Sequence, residues 1–390
     1  MRPNQAGAGE PGHDHLGTGE PGHGDPVVLR PYRTEDADDL TRACNDPLVQ
    51  RFVPSMPSPY TRHDALAWIS ESTVNASTAG DKTTGNTALA FADPATDRLL
   101  GGGGFRRGAE RTAEMGYLVA PWARQRGVAT AAARLLTAQA FAQGVERISL
   151  RTEWENTASQ RVAIAAGFSR ESVQRGGGAN RDGTRHDLIV WARLRTDPEG
   201  PKNRILPDLP GHSSSGPGEL SDGVVTLRPT SPQDAHDTYA LRCLPDVIAT
   251  SVPPQVPEWS TVARTCARAE AGWLAGERAD FTIRDTATSA YAGEIGLYYW
   301  EPPTQQAMIG YSMMPHWRGR GYATRAASLV ARWALDEVGI ARVIAGTAPN
   351  NLGSQRVLQR AGFVQEGYQR ARLPGPDNTR VDDILFALVR

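Results

Sequence analysis

The sequence contains little cysteine and no long apolar run, and each absence excludes a class of protein. Its only cysteines, Cys44, Cys243 and Cys266, show no CxxC spacing, which excludes a disulfide framework and indicates reduced thiols in a cytoplasmic protein. No stretch approaches the about 18 apolar residues that a membrane span needs, and the N-terminus shows no apolar segment of the signal-peptide type. We therefore expect no membrane partner.

Lysine is also nearly absent, and the charges balance. Lys82 and Lys202 are the only lysines among 42 basic residues, which face 43 acidic ones and leave a net charge of −1. A chain without excess positive charge does not attract the phosphate backbone over its whole surface. We therefore expect no nucleic-acid partner.

Two irregular segments divide the 390 residues, a length that suggests two or three domains. Residues 1–25 combine glycine, proline and acidic residues with His13, His15 and His23 and have too little apolar surface to fold, so we expect a disordered tail. Flexible tails that contain histidine are common, and we predict no metal site. Residues 196–221, rich in proline, glycine and serine, are expected to form a linker.

The blocks on either side of this linker, 26–195 and 222–390, repeat each other. Four segments return in the same order in the second block. The pairs are Leu29-Arg30-Pro31 with Leu227-Arg228-Pro229, Gly116-Tyr117 with Gly310-Tyr311, Arg124–Thr130 with Arg318–Thr324, and Ser159-Gln160-Arg161-Val162 with Ser354-Gln355-Arg356-Val357. Chance matches would not keep one order, so the sequence predicts two copies of one domain.

Each copy alternates short strands with amphipathic helices. Strands are predicted near 27–30, 87–92, 98–105, 113–119, 147–152 and 187–194, and again near 224–228, 280–284, 291–298, 307–313, 341–346 and 382–389. Helices are predicted near 35–44, 62–72, 127–142 and 157–165, and again near 232–242, 260–275, 321–337 and 352–360. This order predicts an α/β class, with a mixed, mostly antiparallel twisted sheet flanked by helices in each copy.

One turn in each copy has the composition of an anion site. Pro121 or Pro315 ends a strand, and a turn of arginines and glycines opens a helix. The first N–H groups of a helix lack internal partners and lie at the positive end of its dipole, and small residues let an anion approach them. The spacing fits neither a Walker loop nor a dinucleotide fingerprint. The turn therefore suggests a phosphate-bearing ligand, with an ordinary turn bearing solvated arginines as the alternative.

At these residues the sequence resembles the GCN5-related N-acetyltransferase (GNAT) family. The acetyl-CoA signature of that family, Q/R-x-x-G-x-G/A, matches Arg124–Ala129 and Arg318–Ala323. Two further features are similar to the RimJ/RimL branch: the Leu-Arg-Pro opening, and the segments Asn156-x-x-Ser159 and Asn351-x-x-Ser354 that lead to Ala-Gly-Phe. That branch acetylates protein N-terminal or small-molecule amines. The resemblance covers both blocks and implies two tandem GNAT-like domains with acetyl-CoA, or a related acyl-CoA, as cofactor.

The resemblance further implies one coenzyme A site in each copy. Its pyrophosphate would lie on the backbone of this turn, residues 124–130 in the first copy and 318–324 in the second, which we call the bend. Its pantetheine arm would pair with a strand and with an asparagine that also suits a helix N-cap. The implied residues are Leu118, Val119, Arg124, Gln125, Arg126, Gly127, Val128, Ala129, Thr130 and Asn156 in the first copy, and Ser312, Met313, Arg318, Gly319, Arg320, Gly321, Tyr322, Ala323, Thr324 and Asn351 in the second. A backbone N–H on the strand would polarise the thioester carbonyl.

Catalysis by direct aminolysis needs a proton for the leaving thiolate and a path for the proton of the amine. The resemblance places Ser159 and Ser354 near the sulfur as acids, although each also suits the polar first turn of a helix. Glu114 in the first copy and Glu294 in the second are the candidate bases. A solvated glutamate without a catalytic role, or a water chain instead of a base, is the alternative.

The expected function is transfer of an acetyl group from acetyl-CoA to a primary amine in a ternary complex. The acceptor would be a small-molecule amine or a protein N-terminus, and the loops 53–60 and 252–259 would form its wall. The chain would be a monomer with a pseudo-dimeric pair of domains, or a homodimer. The alternatives are one catalytic domain beside a non-catalytic scaffold domain, and a non-catalytic module that senses acyl-CoA.

Overall fold

The computed structural model describes residues 26–77, 86–213, 216–375 and 379–390. The predicted tail, 1–25, lies outside the described residues. Each repeated block folds around its own sheet, with seven strands in the first copy and eight in the second. None of the helices in these described ranges is long and apolar enough to cross a bilayer.

In the first copy, strands and helices alternate as the sequence predicts. The strands are β1 (Val28–Arg30), β2 (Asn86–Ala92), β3 (Leu99–Arg107), β4 (Thr112–Val119), β5 (Arg147–Glu153), β6 (Ser169–Ala179) and β7 (Arg185–Leu194). The helices are α1 (Ala37–Cys44), α2 (Pro47–Phe52), α3 (Arg62–Ser77), α4 (Val128–Ala142) and α5 (Thr157–Ala165).

The second copy repeats this order after three two-residue strands in the connecting segment. Those are β8 (His212–Ser213), β9 (Gly216–Pro217) and β10 (Leu220–Ser221). The strands of the copy are β11 (Val225–Pro229), β12 (Arg278–Asp285), β13 (Tyr291–Glu301), β14 (Gln306–Met313), β15 (Arg342–Thr347), β16 (Val364–Pro374) and β17 (Arg380–Val389). The helices are α6 (Ala235–Arg242), α7 (Pro245–Thr250), α8 (Trp259–Leu274), α9 (Tyr322–Trp333) and α10 (Leu352–Arg360).

The two sheets have one topology. Their strand orders are β1-β2-β3-β4-β5-β7-β6 and β10-β11-β12-β13-β14-β15-β17-β16. Only β4 with β5, and β14 with β15, pair in parallel, whereas the other pairs within both sheets are antiparallel. The predicted α/β class, with two mixed and mostly antiparallel sheets, is therefore confirmed.

Besides the three two-residue strands of the connecting segment, two long strands and two short helices were not predicted. The edge strands β6 and β16 are mostly exposed and pair only with β7 and β17, so their sequences lack the apolar alternation that reveals a strand. Helices α2 and α7 span only six residues each, starting at Pro47 and Pro245, and are too short to show a helical period.

The helix that follows the bend forms the centre of each core. Val128, Ala132, Leu136 and Ala140 of α4 are buried on one face, as predicted from their spacing. The corresponding buried residues of α9 are Tyr322, Ala326, Ala327, Val330, Ala331 and Trp333. This packing fixes the N-terminal end of each helix against its sheet.

The segment 196–221 connects the copies, but three of its leucines pack into the second one. Leu206, Leu209 and Leu220 are buried in that core, and the Trp273 indole Nε1 donates to the carbonyl oxygen of Pro207 over 2.9 Å. Strand β10 adds to the sheet beside β11. A composition dominated by proline, glycine and serine predicts a linker, and three leucines without strand or helix periodicity do not change that prediction.

Candidate functional site

The arginine–glycine bend has the same backbone conformation in both copies. Gln125 and Gly127 have φ angles of 60° and 76°, and Gly319 and Gly321 have φ angles of 72° and 81°. Gly127 and Gly321 are the N-cap residues of α4 and α9. Glycine takes this left-handed conformation without strain, whereas a residue with a Cβ pays roughly 1 kcal/mol or more for it. The left-handed conformation that the bend needs at its last residue therefore explains why glycine precedes the helix in both copies, as Gly127 and Gly321.

The bend leaves a row of backbone donors without acceptors. In the first copy the helical hydrogen bonds begin with the N–H of Ala131, which donates to Gly127 over 3.0 Å, and in the second with Arg325, which donates to Gly321 over 3.1 Å. Within the described part of the chain, no residue accepts a hydrogen bond from the N–H groups of 125–130 or 319–324. Such N–H groups, at the positive end of a helix dipole, bind anions.

Within each bend the side chains divide between solvent and core. Gln125, Arg126 and Gly127 are exposed, as are Arg318, Gly319, Arg320 and Gly321, whereas Val128 and Tyr322 are buried. Ala129, Thr130, Ala323 and Thr324 are half-buried on the first helical turn. A ligand on the bend would therefore contact Val128 and Tyr322 through their backbone only.

Ion pairs occupy the arginines of the first bend. Arg124 binds the carboxylate of Asp46, and Arg126 binds that of Asp93 over 3.1 Å. The sequence did not reveal these partners, because 78 and 33 residues separate the members of the pairs.

The arginines of the second bend are less occupied. Arg318 binds Asp246, and its Nε donates to the carbonyl oxygen of Met313 over 2.9 Å. Arg320 lies 3.3 Å from the His316 Nε2 and over the Trp317 ring, and no carboxylate among the described residues pairs with it. Arg320 is therefore the guanidinium most available to a phosphate.

Beside the first bend, β4 and β5 separate. Their parallel pairing ends at Glu114 with Ser149, although β4 continues to Val119. The N–H of Ala120 donates to Leu100 on β3, so strand alternation turns the backbone groups of Tyr117 and Val119 to the opposite, open edge. The backbone of Leu118, which was predicted to bind the ligand with Val119, faces β3 instead.

Strands β14 and β15 separate in the same way after Met308. The N–H of Met314 donates to Ala292, which turns the backbone of Tyr311 and Met313 to the open edge and that of Ser312 to β13. Each copy thus presents unpaired strand backbone next to its anion-binding bend.

A tyrosine and a serine meet across this opening. The Tyr117 hydroxyl lies 3.0 Å from the Ser159 Oγ, and the Tyr311 hydroxyl lies 2.8 Å from the Ser354 Oγ. Burial raises the pKa of both tyrosines to about 12, so both phenols hold their protons at neutral pH. The serines were predicted from the family resemblance, whereas the tyrosines, although repeated as Gly-Tyr in both copies, were assigned no role.

An asparagine three residues before each serine binds its backbone N–H and so fixes the first turn of the helix that carries it. The Oδ1 of Asn156 accepts from the Ser159 N–H over 3.2 Å, and the Oδ1 of Asn351 accepts from the Ser354 N–H over 3.1 Å. Both asparagines are thus N-caps, of α5 and α10, and no acceptor among the described residues binds the side-chain amide nitrogen of either.

The two candidate bases are both held in ion pairs. Glu114, in the first copy, binds Arg151 over 2.5 Å, and Glu294, in the second, accepts from both the Nε and the Nη2 of Arg242 at 2.8–3.1 Å. To take a proton from an amine, either carboxylate would first have to open its ion pair.

The faces of the two sheets that carry these glutamates differ. In the first copy the position of Glu294 is taken by Gly102, where a Cβ would lie 1.6 Å from the Tyr32 hydroxyl. Tyr32 is buried among apolar residues of α1 and α3. The first copy therefore has a tyrosine where the second has the ion pair of Glu294 with Arg242.

These observations define a class of protein, a tandem of two α/β domains that each join an anion-binding bend to an open strand edge. The family model described as "Acetyltransferase (GNAT) domain" matches residues 27–169 and again 225–364, well over half of the chain. The chain therefore belongs to the GNAT acetyltransferase domain family, which it contains twice.

Curated relatives share parts of this chain. The probable N-acetyltransferase YjcK of Bacillus subtilis (strain 168) is 46% identical over 66 residues, which are 17% of this chain and 36% of that protein. The uncharacterized N-acetyltransferase YoaA of the same organism is 30% identical over 104 residues, 26% of this chain and 58% of the relative. The chain thus matches between about a third and somewhat over half of the length of these relatives.

Solved structures align with one copy's length of the chain. Mycobacterium smegmatis RimJ in complex with CoA-disulfide is 24% identical and covers 44% of this chain and 86% of its own, with a TM-score of 0.39. RimL, a ribosomal L7/L12 alpha-N-protein acetyltransferase in complex with coenzyme A, is 18% identical over 44% of this chain and 96% of its own, with a TM-score of 0.40.

Proposed function

We propose that each copy binds acetyl-CoA, or a related acyl-CoA, and transfers the acyl group to a primary amine. The observation that carries this proposal is the row of N–H groups without acceptors at 125–130 and 319–324, beside an open strand edge. A diphosphate fits such a row because its oxygens accept from several backbone donors at a helix N-terminus. Solved structures of family members with CoA or acetyl-CoA bound support the choice of ligand.

In this proposal the pantetheine arm lies along the open edges of β4 and β14. An extended ligand adds to a strand edge through backbone hydrogen bonds, and Val119 and Met313 present theirs to the opening. The side-chain amides of Asn156 and Asn351 would donate to the same arm while the asparagines continue to cap α5 and α10. A backbone N–H on each edge would polarise the thioester carbonyl.

The amine would attack the thioester carbonyl carbon directly. A carbon–nitrogen bond forms, the carbon–sulfur bond breaks, and the leaving thiolate takes a proton. We assign that proton to Ser159 in the first copy and to Ser354 in the second, each resupplied through Tyr117 or Tyr311 across the hydrogen bonds of 3.0 and 2.8 Å. Phenols whose pKa is about 12 keep the proton that this step needs.

Glu114 and Glu294 are the candidate acceptors of the amine proton, and either could act as a base only once its ion pair has opened. Glu294 is the less exposed of the two carboxylates, at 20% against 37% for Glu114, so solvent screens its charge less. If their ion pairs do not open, a water chain would serve instead, and the glutamates would act by attracting the ammonium form of the acceptor.

The difference between Tyr32 in the first copy and the Glu294–Arg242 pair in the second suggests that the two copies differ in their choice of acceptor. A buried phenol in one copy stands where the other has a salt bridge, so we propose that the two copies accept different amines, drawn from small molecules and protein N-termini. Cytoplasmic location, where acyl-CoA and such amines meet, is part of the same proposal.

An amine-library screen that follows release of the free CoA thiol tests activity and acceptor class together. We expect acetyl-CoA to be consumed with at least one primary amine and with no tertiary amine as matched control. Ligand-dependent thermal stabilisation without thiol release from any amine would instead indicate a non-catalytic acyl-CoA sensor.

A further inference from the structure

The helix that carries Ser159 begins against the other copy. Two residues on one face of α5 bind one carboxylate of α8: the Thr157 hydroxyl donates to the Glu270 Oε2 over 2.6 Å, and the Arg161 Nε donates to the Glu270 Oε1 over 2.7 Å. Because Thr157 and Arg161 are one turn apart, Glu270 spans the first turn of α5.

The residues that precede α5 are held by α8 as well. The Nε of Arg268 donates to the Oε1 of Glu155 over 2.8 Å, and its guanidinium lies 5.5 Å from the ring centroid of Trp154. Asp208, from the connecting segment, accepts from the Arg161 Nη1 over 3.0 Å. Contacts from outside the first copy thus surround the N-cap of α5.

The same turn presents the candidate acid to the opposite side. Ser159 lies two residues from both Thr157 and Arg161, so it faces away from Glu270, and its Oγ meets the Tyr117 hydroxyl. Any shift or rotation of this turn would therefore move the Ser159 Oγ relative to β4.

Among the described residues, the second copy has no contacts equivalent to these. The counterparts of Thr157 and Arg161 are Leu352, which is 56% exposed, and Arg356, which is also exposed. No residue in the described part of the chain pairs with the Arg356 guanidinium. Only the first of the two candidate sites is completed by a neighbouring domain.

We propose that Glu270, a residue of the second copy, is a positioning residue for acyl transfer in the first copy. This inference rests on the proposed function of the first copy and adds that its turnover requires the second copy as a partner, whether or not the second copy is itself active. Arg161 and Glu270 are 32% and 43% exposed, so their pair stabilises the fold little, whereas a small misplacement of a reacting group can slow catalysis strongly.

The test measures the same substitution in two backgrounds of the full chain. Gly321→Asp places a negative charge at the second bend and leaves turnover to the first copy, and Gly127→Asp does the reverse. We expect Glu270→Ala in the Gly321→Asp background to lower kcat about tenfold, with the KM for acetyl-CoA changed less than about twofold, because the bend that holds the pyrophosphate is untouched. In the Gly127→Asp background, kcat should change less than about twofold.

Two further variants separate positioning from general damage. Glu270→Gln keeps an oxygen that accepts from Arg161 and places an NH2 group that can donate to the Thr157 hydroxyl, so it should restore most of the lost kcat. Glu171→Ala removes a pair of similar exposure, Arg147 with Glu171, away from the first turn of α5, and should leave kcat unchanged in both backgrounds.

Equal loss of kcat in both backgrounds, no loss in the Gly321→Asp background, or no rescue by Glu270→Gln would each overturn the inference. So would turnover in the Gly127→Asp chain with none in the Gly321→Asp chain, since the first copy would then be inactive. Absence of turnover from the unsubstituted chain is a separate result, which would overturn the proposed function and this inference with it.

Discussion

At the scale of single residues, the hydrogen bond between a tyrosine and a serine is the feature that both copies share most closely. It joins Tyr117 to Ser159 and Tyr311 to Ser354, from a strand and a helix that are more than 40 residues apart. The family resemblance predicted both serines near the sulfur, but the sequence could not show the tyrosine, because the contact depends on how α5 packs over β4. The repeated Gly-Tyr pair was visible in the sequence, but its contact with the serine was not.

Removing one hydroxyl of this pair should slow turnover without weakening cofactor binding. In a Gly321→Asp background, we expect Ser159→Ala to lower kcat about 100-fold and Tyr117→Phe about tenfold, since general acids contribute on that order. The acetyl-CoA Kd should stay within about twofold for both, because neither hydroxyl lies on the bend. Steady-state kinetics and titration calorimetry measure both quantities, and unchanged kcat in Ser159→Ala would contradict the assignment.

The ion pairs of the two glutamates lead to a different expectation. Because Arg151 binds the Glu114 carboxylate, we expect Glu114→Gln to lower the kcat of the first copy less than about tenfold, well below the loss typical for a general base. Arg151→Ala is the control, since it removes the nearer of the two arginines that pair with Glu114 while keeping the carboxylate. A loss of about 100-fold in Glu114→Gln, together with a changed pH–rate profile, would show that Glu114 is the base after all.

The buried tyrosines also predict how stability depends on pH. Burial raises the pKa of Tyr117 to about 12 from the ordinary value of 10.0, so the fold favours the neutral phenol. This contribution is fully present below about pH 10 and is lost as the pH rises from there to about 12. Urea unfolding at pH 9 and pH 11.5 should show a smaller fall in the free energy of unfolding for Tyr117→Phe than for the unsubstituted chain. An equal fall would contradict the cause given for the shift.

At the scale of elements, the bend and the strands beside it were predictable and their separation was not. Proline, arginine and glycine between an apolar strand and an apolar helix stripe indicated a helix N-terminus with room for an anion. The end of pairing after Glu114 and Met308 has no local signature, because it depends on where β5 and β15 diverge from their neighbours. For the same reason the sequence could not tell that Val119 and Met313, but not Leu118 and Ser312, turn their backbone to the opening.

The conformation of Gly127 allows a controlled test of the bend. Gly127 and Gly144 have φ angles of 76° and 89°, and the space around a Cβ is open at both, with the nearest atom 3.9 Å away at Gly127. Gly127→Ala and Gly144→Ala should therefore each lower the free energy of unfolding by a similar amount, about 1 kcal/mol. Only Gly127→Ala should weaken acetyl-CoA binding to the first copy, as measured by calorimetry in the Gly321→Asp background. Equal affinities in the two variants would contradict a ligand on this bend.

At the scale of the whole molecule, the tandem repeat could be read from the order of four matching segments, and the way in which the copies join could not. The ion pairs of Glu270, Arg268 and Asp208 with the first copy connect residues far apart in sequence, and nothing in their local pattern marks them. Composition likewise predicted a linker where Leu206 and Leu209 are buried.

The buried part of the connecting segment should matter for the stability of the second copy. Leu206 is fully buried and the adjacent Ile205 is 45% exposed. We expect Leu206→Ala to lower the free energy of unfolding by about 2–5 kcal/mol, as in other cores, and Ile205→Ala to lower it far less. Urea denaturation followed by circular dichroism compares them, and similar losses would contradict the packing of this segment into the core.

The central claim is that each copy holds one acyl-CoA on its bend, and isothermal titration calorimetry with acetyl-CoA tests it most directly. We predict about two molecules bound per unsubstituted chain, about one for Gly127→Asp and for Gly321→Asp, and none for the double variant, because each aspartate repels the diphosphate from one row of N–H donors. No binding to the unsubstituted chain, or undiminished binding to the double variant, would contradict the account.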